Sequence, residues 1–99
     1  MSILLQIYRQ LLKDQNGPRL SDIANEYLQD IRLAQNLVVL RTSPGHASAL
    51  AVSIDRQELE EVIGTVAGDD TVLVITADCQ AAEDFHNRML GLISGEVQA

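Results

Sequence analysis

Gly64-Thr65-Val66-Ala67-Gly68-Asp69-Asp70-Thr71 joins two runs of strand-forming residues. Val62, Ile63, Thr65 and Val66 lead into it, and Val72, Leu73, Val74 and Ile75 lead away. β-branched and apolar residues on both sides of a glycine-led polar break read as an antiparallel hairpin. Gly68 is expected to supply the positive φ of a tight turn. Asp69 and Asp70 tolerate turn geometry, yet adjacent like charges repel. The nearest basic residues in sequence are Arg56 and Arg88. Two acids without a local base suit an external cation.

Composition limits what kind of protein carries that turn. At 99 residues and 46% apolar, the chain is sized for one folded domain. Fourteen acids against seven bases give a net charge of −7 and a pI near 4.5. Phosphate contacts come from Lys and Arg, and the three aromatics, Tyr8, Tyr27 and Phe85, are too few for a base-stacking platform. Direct nucleic-acid binding by this chain is not expected. A single cysteine, Cys79, allows no intrachain disulfide and fits a reducing, cytoplasmic setting. No apolar run is long enough to span a bilayer, and Ile3-Leu4-Leu5 is too short for a signal peptide.

Outward from the hairpin, the other elements follow in order. Residues 2–14 carry Ile3, Leu4, Ile7, Tyr8, Leu11 and Leu12 at helical spacing, and Asn16-Gly17-Pro18 stops that helix. Residues 1–18 are therefore expected to be a helix and linker, and residues 19–95 the main domain. Leu20 to Asn25 reads as a short helical turn. Tyr27, Ile31 and Leu33 alternate with Leu28, Asp30 and Arg32 as a strand. Leu37 to Leu40 pairs back after Gln35-Asn36. Ser43-Pro44 is expected to start a helix, Ser43 as cap, that buries Ala47, Leu50, Ala51 and Ile54 and ends near Asp55. Asp78 caps a last helix burying Ala82, Phe85, Met89, Leu92 and Ile93, stopped by Gly95. The result is a β-β-α-β-β-α order with an added N-terminal helix: an α+β two-layer sandwich, two helices on one face of a four-stranded antiparallel sheet. The other face of such a sheet stays unprotected unless another subunit covers it, so an oligomer is expected.

With that order in place, the central residues resemble the C-terminal domain of the bacterial arginine repressor. The matching features are Val38-Val39-Leu40-Arg41-Thr42-Ser43-Pro44-Gly45, a helix ending at Asp55, and Gly64 to Thr71. The likeness covers residues 19 to 93. It implies trimers that stack into hexamers, with L-arginine as co-repressor ligand between them and no other cofactor or metal. It further implies that Asp69 and Asp70 are the paired ligand acids, Asp55 a helix-end acid near the ligand, and Ala51 a pocket position. Ser48 stands where many relatives carry Gln; its side chain is shorter, so the corresponding polar ligand contact is expected to need a bridging water. Operator DNA is then a partner only through a winged-helix domain. Eighteen leading residues are too few for such a domain, so it is expected to be absent from this chain.

The chemistry is coherent: a guanidinium presents a planar fork that a carboxylate accepts in parallel, and an α-amino group calls for a second acid. The alternatives are thinner. A Gly-Asp-Asp hairpin also holds magnesium in template-dependent polymerases, but two acids are a sparse set for that ion and a palm needs a longer chain. No nucleophile–base pair marks an enzyme. His46, beside the expected pocket, and His86 read as surface or interface residues, and Cys79 as an inert thiol at a helix start. A purely structural trimerisation module would share every feature except a need for the acids.

Overall fold

The computed structural model describes residues 19–94. The helix expected over residues 2–14, the linker at 16–18 and the stop at Gly95 lie outside the described residues. The elements run α1 (Leu20–Tyr27), β1 (Leu28–Ala34), β2 (Leu37–Thr42), α2 (Ala47–Gln57), β3 (Val62–Ala67), β4 (Thr71–Thr76) and α3 (Cys79–Ser94). The four strands form one antiparallel sheet in the order β1-β2-β4-β3. This is the expected α+β sandwich, with a third helix, α1, preceding the sheet.

Alternation along the strands decides which face is covered. Val38, Leu40 and Thr42 on β2 and Val72, Val74 and Thr76 on β4 are buried. Val38, Leu40, Val72 and Val74 meet Leu20 and Ala24 of α1, Ala47, Leu50, Ala51 and Ile54 of α2, and Ala82, Phe85 and Met89 of α3 in one core. Phe85 is fully buried at its centre; a side chain of that kind contributes about 1.5–3 kcal/mol through burial. Asp78 caps α3 as its position implied, its Oδ1 accepting from Ala81 N at 2.8 Å.

No helix among the described residues packs on the opposite face. Cross-strand pairing places Leu37, Val39, Leu73, Ile75 and Val66 together there, with Arg41 and Thr71 paired at one end. Val66 is 59% exposed, and Ile63, in the irregular stretch between Val62 and Gly64, is 68% exposed. The uncovered face is thus apolar at its centre.

Three local expectations need correction. Tyr27 ends α1 rather than starting a strand, and Leu28 N caps that helix on Ala24 O. An irregularity between Leu28 and Asp30 then resets the alternation. Leu28 joins Ile31 against the core instead of opposing it. Second, α2 begins at Ala47, not at Ser43-Pro44. Gly45 has φ +84°, which no right-handed helix accommodates, and His46 N donates to Ser43 O at 3.2 Å. Pro followed by a positive-φ Gly is the signature of a type II turn. Third, Gly68 does not have positive φ; among the described glycines only Gly45 does.

Candidate functional site

The two motifs that flank α2 in sequence are one object in space. Within the β3–β4 turn, Gly68 N donates to Thr71 O at 2.8 Å. The next two carbonyls meet the end of β2 and the segment that follows it. Asp70 O accepts from Thr42 N at 2.8 Å, and Asp69 O accepts from Gly45 N at 3.0 Å and Ala47 N at 3.3 Å. No side chain caps α2. The Asp69 carbonyl does so from the other hairpin, satisfying one of the donors a helix start leaves open.

With its backbone fixed this way, the turn holds its two carboxylates differently. Asp70 Oδ1 accepts from Thr71 Oγ1 at 3.0 Å, and Oδ2 accepts from Arg41 Nη2 at 3.3 Å. The Thr71 hydrogen bond, aided by the nearby Arg41, lowers the Asp70 carboxyl below its ordinary value against an opposing desolvation. The expectation that both acids lack a base therefore fails for Asp70: Arg41 is distant in sequence but is the direct cross-strand partner of Thr71. Asp69 is exposed, and its carboxylate takes no hydrogen bond or ion pair among the described residues.

The remaining expected site residues lie along α2. Ser48 is exposed in its first turn, next to Ala47 and so beside the aspartate turn. Asp55 is exposed in its last turn, where both carboxylate oxygens accept from Thr65 Oγ1, at 3.0 and 3.2 Å. The two are seven positions apart, which is roughly 10 Å along a helix. Ser48 and the paired aspartates are thus brought together, while Asp55 belongs to a second acidic point further along. Ala51 is only 6% exposed and packs in the core. The outward residue at that level is Val52, 49% exposed, which continues the Ser48–Asp55 line at helical spacing.

Several contributors were not singled out from the sequence as neighbours of the turn. Arg41 needed the cross-strand register, and Thr65 needed the packing of α2 on β3. Val52 was within reach of helical spacing alone. His46 stacks on Tyr27 with ring centroids 3.9 Å apart and planes 9° from parallel, and its Nδ1 lies 2.8 Å from Ser43 Oγ. Among the described residues no group of three metal-ligating side chains occurs, and no helix is long and apolar enough to cross a membrane.

The arrangement can accept a cationic, multi-donor ligand at Asp69, on a turn held rigid from behind. Comparison with known proteins points the same way. A family model described as "Arginine repressor, C-terminal domain" matches residues 24–91. The chain is 50% identical over 86 residues to an arginine repressor of Solibacter usitatus, covering 87% of this chain and 59% of that protein. It is 45% identical over 75 residues to one from Desulfitobacterium hafniense, covering 76% and 50%. A Koribacter versatilis arginine repressor is 39% identical over 77 residues, covering 78% and 52%. The chain spans little more than half the length of these relatives.

Proposed function

The chain belongs to the arginine repressor family of transcription regulators through its C-terminal domain, and from that premise we propose that residues 19–95 form an arginine-sensing oligomerisation domain. L-arginine is the ligand, and Asp69 and Asp70 are its principal acids, with Ser48 at the near edge. Asp55 and the α2 surface around Ala51 form the far wall. The domain trimerises, and two trimers stack with the ligand between them. Regulation of operator DNA follows from that assembly and is carried out by a winged-helix domain, not by this acidic surface.

The observation that carries this reading is the Asp69 carboxylate, without a partner among the described residues, on a turn whose backbone is already anchored. A charge-assisted hydrogen bond contributes about 1.5–3 kcal/mol, so a guanidinium docked there is held with little left to order. The uncovered apolar sheet face supports self-association. If acids from neighbouring subunits face one another, a cationic ligand relieves their repulsion. Binding and assembly then favour each other by linkage.

Thermal melts with L-arginine, ornithine, lysine and citrulline test the ligand. Arginine is expected to raise the melting temperature most, and citrulline, which lacks the charged guanidinium, least. No shift with any of them would leave only the structural module. Sedimentation tests the assembly: a folded monomer at micromolar concentration contradicts it. A gel shift with residues 19–95 alone is expected to be negative with or without arginine.

A further inference from the structure

We propose that the Tyr27–His46 stack is the joint through which occupancy of the aspartate turn is felt at α1; this rests on the reading of that turn as an arginine site. The path is short and made of direct contacts. Asp69 O is held by Gly45 N and Ala47 N, and His46 lies between these two residues. Its ring is fixed from one side by Ser43 Oγ at 2.8 Å from Nδ1 and lies flat on Tyr27 at 3.9 Å. Ser43 N also donates to Tyr27 O at 3.1 Å. Tyr27 is the last residue of α1, so the ring stack and this backbone bond join the ligand turn's support to that helix's end.

α1 is built to respond to small changes. It has eight residues, its N-cap position Arg19 makes no side-chain cap bond, and no basic residue stabilises its last turn. Helices this short are marginal without tertiary contacts, and only Leu20 and Ala24 of α1 are buried. Leu20 and Ala24 hold the start and middle of the helix in the core, with Ile23 packed against it, so fraying of the C-terminal turn beyond Ala24, where Asn25 and Glu26 are exposed, is the local opening that the stack opposes. A ligand that immobilises residues 43–47 holds His46 in stacking position and so raises the population of formed α1, by the linkage that ties local opening to binding. Because α1 is where the chain enters the domain, this places the effect at the junction with whatever precedes residue 19. The stack is thus a positioning contact, separate from the residues that touch ligand.

Hydrogen–deuterium exchange on the whole chain, with and without excess L-arginine, tests this directly. Ligand at a hundred times its Kd is expected to slow exchange at Gly45 and Ala47 by up to about a hundredfold. In the unmodified protein, Ala24 to Tyr27 should slow as well, by roughly tenfold or more. Tyr27→Phe keeps the ring stack and should behave the same. His46→Ala should keep the slowing at Gly45 and Ala47 but lose it in α1. Tyr27→Leu, which preserves apolar bulk, should match His46→Ala. Slowing at Gly45 and Ala47 without any in α1 overturns this inference and leaves the arginine reading intact. Persistent α1 slowing in either stack-breaking variant also overturns it. No slowing anywhere removes the arginine reading and this inference together.

Discussion

The two hairpin turns stand at opposite ends of one sheet and use their polar groups in opposite ways. At the β1–β2 turn, Asn36 O accepts from Thr76 N at 3.0 Å and Thr76 Oγ1 at 2.7 Å, while Asn36 Nδ2 donates to Thr76 O at 3.0 Å. Every one of these partners is internal. At the β3–β4 turn the backbone is equally well anchored, but the Asp69 carboxylate is left over. Equal fixation with unequal satisfaction separates a turn that closes a sheet from one that presents chemistry.

The sharpest way to break that contrast is Asp69→Asn. The amide keeps the shape and removes the charge, so arginine binding should fall at least about tenfold, to the point of being unmeasurable by calorimetry. The melting temperature without ligand should barely move. Thr76→Val is the mirror experiment. It strips a buried hydroxyl from the closed turn and should cost about 1–2 kcal/mol in denaturant unfolding, with arginine affinity unchanged. Gly45→Ala attacks the support of the open turn. A side chain there meets nothing within 4 Å, but φ is +84°, so the expected cost is about 1–2 kcal/mol from backbone strain.

Smaller effects sharpen the contrast further. The Asp70 carboxyl is lowered by Thr71 and Arg41. Its stabilising contribution is therefore complete above the ordinary carboxylate value of about 3.9 and is lost as pH falls through its lower folded-state value. Acid titration of the melting temperature should show this loss, and Asp70→Asn should remove it. The Gln35-Asn36 turn has no titrating group and stays indifferent. Last, Gly68→Ala should change stability by less than about 0.5 kcal/mol. The added methyl would meet only Thr71 O at 3.8 Å, and no positive φ is required.

What the sequence disclosed was what short range controls. Alternation in Val72 to Ile75, helical spacing in Ala82, Phe85 and Met89, and the Asp78 cap all act within a few residues, and each appears in the fold. The failures share a different origin. The irregularity after Leu28 and the left-handed Gly45 each shift parity or phase at one residue, which periodic patterns cannot register. The Arg41–Asp70 pair and the Tyr27–His46 stack join residues far apart along the chain. Hence the placing of two aspartates in the β3–β4 turn was legible from the motif, while the pairing of Asp70 with Arg41 required the register of β2 on β4.

That α2 is capped by the main chain of Asp69 rather than by any side chain has a consequence for how such a domain changes over generations. Backbone carbonyls are present whatever residue occupies the position. Replacements at residues 46 and 69 can therefore accumulate without unwinding the helix they adjoin. The preference for one small molecule over another can drift while the architecture that displays it is inherited intact.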